Sequence, residues 1–98
     1  MGKVSEADFG VIVPNAELRP YAAPGQVLDF AADRPLQDGD VGLFALGNST
    51  LIRQYCEDSA GFVHLLCVNR RLRRRDITCR PEEVCCLGRA LLPEIPLP

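Results

Sequence analysis

Among 98 residues there is no tryptophan, one lysine, one histidine and three serines, and these shortages remove most routes to catalysis. No G-x-x-x-x-G-K-[ST] or G-x-G-x-x-G loop is present to cradle phosphates, and H-E-x-x-H is missing, so nucleotide chemistry and zinc peptidase chemistry are set aside. No segment approaches the roughly 18 uncharged apolar residues needed to cross a bilayer. The start MGKVSEAD has no apolar signal stretch. The expectation is therefore a cytoplasmic protein with no membrane partner. With 47% hydrophobic residues, the chain can build one small core, and residues 1–98 are read as a single domain.

Five cysteines (Cys56, Cys67, Cys79, Cys85, Cys86) leave one unpaired in any disulfide scheme, and their spacing does not match a secreted framework, which points to reduced thiols. Cys79, Cys85 and Cys86 are poor metal ligands: neighbours along a strand face opposite sides, and no C-x-x-C or second histidine completes a tetrahedral set. They are read as buried small hydrophobes. No metal or cofactor is expected. His64 and Cys67, three apart on a strand, cannot form a local dyad, so His64 is read as a half-buried strand residue.

Charge is close to balanced at −2, yet ten of the eleven cations are arginine and five lie within Arg70 to Arg75. Clustered guanidiniums can neutralise a phosphate backbone. The run NRRLRRRD has no interleaved aromatic for base stacking and is followed by Asp76, Glu82 and Glu83, so a solvated hairpin or loop face is the preferred reading. The acid pairs Asp38/Asp40 and Glu82/Glu83 flank or open turns, and structural roles account for both.

Apolar runs of strand length recur between turn signals at 9–13, 26–30, 41–46, 50–55, 61–68 and 84–92. Pro24-Gly25, Asp38-Gly39-Asp40, Gly47-Asn48 and Ser59-Ala60-Gly61 supply the turns. The fold class expected is mostly β, a small twisted assembly of six strands. Hairpins join 41–46 to 50–55 and 50–55 to 61–68, and one short helical turn is expected at Pro81-Glu82-Glu83. Phe9, Val11, Val13, Phe44, Leu46, Ile52, Phe62, Leu66 and Leu87 are the expected core. The tail PEIPLP cannot sustain a regular ladder and should lie extended on the surface or against a partner.

The segments also carry an ordered pattern. Ala7-Asp8-Phe9 and Val13 are followed by Pro20, Gly25 and Val27-Leu28; then come Gln37-Asp38-Gly39-Asp40-Val41 with Gly42-Leu43-Phe44, and Ile52-Arg53-Gln54-Tyr55. Leu65-Leu66-Cys67-Val68-Asn69, Asp76-Ile77 and Gly88-Arg89-Ala90-Leu91 complete it. In this order and spacing the chain resembles, over nearly its whole length, the C-terminal domain of LexA-like and phage-repressor-like regulators. This is the S24 peptidase family, whose members carry a Ser–Lys dyad.

The resemblance implies the LexA/signal-peptidase-like β fold. It places Asn15-Ala16-Glu17-Leu18 where the family has G-D-S-M, and Arg53 where it has the lysine base. Both dyad positions are therefore substituted. A family lysine desolvated by apolar neighbours can be neutral near pH 7 and accept the serine proton, whereas an arginine with a pKa above about 12 cannot. A carboxylate at Glu17 is a poor acyl nucleophile and would repel an oxyanion formed beside it. The only lysine, Lys3, is outside the matched strand.

The expectation is a pseudo-peptidase without catalytic residues, acting as a regulatory and dimerisation domain of a transcriptional regulator. Glu17 and Arg53 should then face each other as a charge-assisted pair. Leu18 and Pro20 stand at substrate-groove-like positions, while Leu87, Arg89 and Leu91 mark a possible strand for a homodimer. DNA would be reached only through a helix-turn-helix domain that this chain does not contain. The alternatives are a free-standing protein-interaction module and a peptidase of altered mechanism.

Overall fold

The computed structural model describes residues 7–32 and 35–98; Lys3 lies outside them. Seven antiparallel strands form one sheet: β1 (Phe9–Ile12), β2 (Val27–Ala31), β3 (Val41–Leu46), β4 (Ser49–Glu57), β5 (Val63–Leu66), β6 (Ile77–Cys79) and β7 (Val84–Ala90). Their order is β1-β2-β7-β3-β4-β5-β6. A β1–β2 hairpin and a β3–β6 meander thus have no direct pairing with each other. The last strand in the chain, β7, enters between them and closes the sheet.

The turns form where residues tolerate them. Gly47 and Gly61 hold φ of 58° and 87° in the β3–β4 and β4–β5 connections, conformations that a side chain with a Cβ resists. Both expected hairpins are present, with Leu43 opposite Ile52 and Tyr55 opposite Leu65. The expected turn at Pro81–Glu83 is a single 3₁₀ turn, in which Glu83 reaches back to the Arg80 amide at 2.7 Å. β6 has no counterpart among the expected strands, because its three residues follow the arginine run without an apolar stretch of their own.

The core has two parts. Val13, Leu18, Leu28, Phe30, Val41, Leu43, Ile52 and Ile95 form one, and Phe44, Val63, Leu65 and Cys79 form the other. Phe9 stacks on Phe30 with ring centroids 5.4 Å apart. Gly88 makes room for that stack, since a Cβ there would stand 2.8 Å from the Phe9 ring.

Three expected core residues are displaced outward. On β5 the buried set is Val63, Leu65 and Cys67, so Phe62 is 40% exposed and Leu66 half-buried. Because side chains alternate with period two, a phase one residue off turns the whole set over. Leu87 is also 40% exposed. Leu43 pairs with Gly88 and Phe44 with Cys86, which makes Leu87 the unpaired residue of a bulge that rotates it away from the sheet. Cys85 and Cys86 are exposed rather than buried; all five cysteines are free, and only Cys67 and Cys79 fill core positions.

The tail lies extended on its own domain. Ile95 is buried, and the Gln54 side-chain amide, itself buried, donates to the Ile95 carbonyl at 2.8 Å and the Gly39 carbonyl at 3.0 Å. Tail and strand thereby satisfy an amide that burial would otherwise penalise. Ile95→Ala is expected to destabilise the domain by about 2–5 kcal/mol in urea titration, the usual range for emptying a buried isoleucine site. Removing residues 93–98 should likewise lower the thermal midpoint, because the tail completes the core.

Candidate functional site

β4 crosses the interior with Ile52, Arg53 and Gln54 all buried. Alternation sends Ile52 and Gln54 toward one face and Arg53 toward the other, so the arginine is an interior residue that needs an anion. Glu17 supplies it. The carboxylate sits in a 3₁₀ turn, Ala16–Leu18, that begins where the Asn15 side chain accepts from the Glu17 amide at 3.0 Å. Arg53 Nη1 donates to Glu17 Oε1 at 2.8 Å and Nη2 to Oε2 at 3.3 Å, an end-on pairing with Arg53 3% exposed. Nη1 also donates to the Ile52 carbonyl, while Nε is buried without a hydrogen-bond partner among the described residues.

A second cation completes the cluster. Arg75 Nη1 donates to Glu17 Oε2 at 3.0 Å from a half-exposed position. Burial alone would push the Glu17 carboxyl up, but the hydrogen bonds from Arg53 and Arg75 outweigh it and hold the group below the usual carboxylate range. The Glu17 backbone is anchored as well: its carbonyl accepts from the Asn69 amide at 2.8 Å and from the Cys67 thiol at 3.5 Å, and the Asn69 side chain donates to the Ala16 carbonyl. Burial pushes the Cys67 thiol upward, keeping it a neutral donor.

The arginine run is ordered by the same contacts. Arg70–Arg75 forms tight 3₁₀ turns with a break at Leu72, capped by Asn69, whose side chain accepts from the Arg71 amide. Arg70 holds Asp76 end-on with two bonds of 3.0 Å, and Asp76 also accepts from the Cys67 amide. Residues 70–75 carry no helical signal of their own, since five arginines have no apolar periodicity. The Asn69 cap is the clue that could have found the turn.

Of the groove-like positions, Leu18 is 1% exposed and joins the core. It also floors an open hollow of about 340 Å³ between Val11–Asn15 and Thr50–Ile52, with Glu17 on its rim. Pro20 does not reach that hollow. The amides of Tyr21 and Ala22 bond back to the Leu18 carbonyl, and this reversal turns Pro20 to the outside, against Asn69 and Arg71.

The dimer-strand positions also separate. Arg89 pairs with Ala31 on one side and Gly42 on the other, and the Leu91 amide donates to Asp29, so both lie where β2 covers β7. Only Leu87 stands where β7, over residues 84–88, pairs with β3 alone among the described residues.

His64 takes part in a chain of bonds that sequence spacing did not indicate. Its Nε2 donates to the Asp58 carboxylate at 2.8 Å, and its Nδ1 is hydrogen-bonded with the Thr78 hydroxyl at 3.1 Å. Asp58 also accepts from the amides of Ala60 and Phe62 across the β4–β5 turn, which makes the trio a clasp on that hairpin and on β6. Among the described residues no three metal-ligating side chains come together, and no helix is long and apolar enough to cross a membrane.

Arg53→Ala is expected to cost about 3 kcal/mol or more in equilibrium unfolding, since Glu17 would stay desolvated with only the half-exposed Arg75 as partner. The pH dependence has a definite sign. Glu17 has a lowered folded pKa, so its contribution is fully present above its ordinary value of 4.5 and is lost as pH falls through the folded value. The stability gap between the native domain and Glu17→Gln should be constant near neutrality and shrink progressively below about pH 4.5. A gap independent of pH would show that the carboxylate charge contributes nothing. Neither a protein-family model nor a curated protein matches the chain.

Proposed function

We propose that the chain is a non-catalytic regulatory and self-association domain of the LexA and phage-repressor type, in which an ion pair occupies the place of a Ser–Lys dyad. The observation that carries this reading is the end-on Arg53–Glu17 pair, at the two positions that the resemblance assigns to base and nucleophile. A dyad needs a nucleophile that can be deprotonated by a base that can be neutral. Arg53 keeps its proton, and Glu17 is already an anion held by two cations. The arrangement binds loop to strand, and its one base, the Glu17 carboxylate, is weakened by the two arginines that hold it.

Neither self-cleavage nor cleavage of a repressor-type peptide is therefore expected between pH 7 and about 10. The alkaline limit is the severe one, because it would deprotonate a lysine base while leaving arginine charged. Product formation that disappears in Glu17→Ala or Arg53→Ala would overturn the reading.

Self-association is assigned to residues 84–88 of β7, which pair with β3 alone among the described residues and carry exposed Cys85, Cys86 and Leu87. Two copies related by a two-fold axis can extend their sheets through such an edge, and pairing two attached DNA-reading domains would raise their avidity. Sedimentation at tens of micromolar should show a dimer that Leu87→Glu converts to monomer. A native domain that sediments as a monomer would remove the self-association half of the proposal.

A further inference from the structure

The arginine corner has more cations than its internal contacts use. Arg70 is taken by Asp76, and Arg75 and Arg53 by Glu17. Arg19, Arg71, Arg73 and Arg74 are exposed and make no side-chain ion pair among the described residues. They come from two segments far apart in sequence. Arg19 and Pro20 from the loop after β1 face Asn69 and Arg71 across a hollow of about 360 Å³, and Arg73 and Arg74 follow Arg71 in the same 3₁₀ turns. A merely solvated charge run does not require a distant arginine to converge on it. The corner is also held in place, because the Asn69 amide and side chain bond to Glu17 and Ala16 immediately before Leu18 and Arg19. Since the whole chain has a formal charge of −2, this excess of cations is strongly segregated.

From this geometry we infer that the Arg19, Arg71, Arg73 and Arg74 surface binds the phosphate backbone of duplex nucleic acid without reading its sequence. Guanidinium forks match phosphate oxygens with two bonds each, and every cation within residues 19–20 and 69–75 is an arginine. A bilayer would need an apolar anchor, and the exposed large hydrophobics include none within residues 70–75. Within the run itself the one apolar residue is Leu72, which is half-buried, so the run offers no apolar centre of the kind a protein interface is built on. No aromatic stands within residues 69–75, and the other segment adds the single exposed ring of Tyr21, too few to stack successive unpaired bases, so the duplex backbone is the form that fits. The site lies apart from the open edge of β7 and does not depend on the regulatory reading.

The test is fluorescence anisotropy of a labelled 24-base-pair duplex of arbitrary sequence with the full 98-residue chain, from 25 to 200 mM salt. Four phosphate contacts predict a log–log salt slope of about −3 to −4, the same for a scrambled duplex. Each Arg→Ser change at positions 19, 71, 73 or 74 should reduce the slope by about 0.9. Arg71→Ser/Arg73→Ser/Arg74→Ser together should weaken binding on the order of tenfold or more at the lowest salt. These side chains make none of the fold's bonds, so an unchanged thermal midpoint separates lost binding from lost folding. Absence of binding at 25 mM salt, or binding that survives the triple change, would overturn the inference. So would capture by phosphatidylserine vesicles with no uptake of the duplex, which would reassign the surface to a membrane.

Discussion

A guanidinium at the centre of a β-sheet domain has to be neutralised, and the way Arg53 is neutralised organises one whole end of this protein. Removing a charge of that kind from water costs several kcal/mol, so the carboxylate that meets it must be delivered accurately and kept there. Glu17 is delivered by a 3₁₀ turn whose start is capped by Asn15, and the turn is pinned through its backbone to Asn69 and Cys67. Asn69 in turn caps the arginine turns, and Asp76 locks their far end through Arg70. Two segments that are remote in sequence, residues 15–18 and 67–76, are thereby tied to one buried charge on β4.

The same arrangement links the substituted dyad positions to the basic surface. Arg19 immediately follows the turn that carries Glu17, and Arg75 contributes to both the clamp and the arginine run. Fixing Glu17 therefore fixes the neighbours of Arg19 and Arg71 as well. An ion pair that is inert as chemistry can still act as scaffolding for an interaction face.

On the other face of β4, where Gln54 points, β7 and the tail perform the equivalent task with largely apolar contacts. β7 joins a hairpin to a meander, Gly88 leaves room for the Phe9–Phe30 stack, and Ile95 is held in the core by the Gln54 amide. Most of these contacts are long in sequence, so the sheet closes only once the C-terminal residues are in place. Among the described residues β2 pairs with β7 only at Arg89 and Ala90, which leaves 84–88 with β3 alone, and the bulge turns the Leu87 side chain outward on that stretch.

Strand existence was legible in the residues because apolar runs between Gly, Pro, Asn and Asp turns have few other solutions; six of the seven strands and both hairpins follow from them. The meeting of Glu17 with Arg53 was also within reach, since the resemblance puts them at the two dyad positions and they carry opposite charge. The phase of β5 was not legible: Phe62, Leu66, Val63 and Leu65 are all apolar, and only packing against the rest of the sheet chooses which set goes in. Nor was the bulge that turns Leu87 outward, the central position of β7, the inward fate of Leu18 beside the outward fate of Pro20, or the clasp of His64 with Asp58 and Thr78. Local sequence determined which segments extend and which residues carry charge. Only tertiary structure decided which faces and which distant side chains meet, because those outcomes are set by pairing register and by the desolvation of groups that sequence leaves many residues apart.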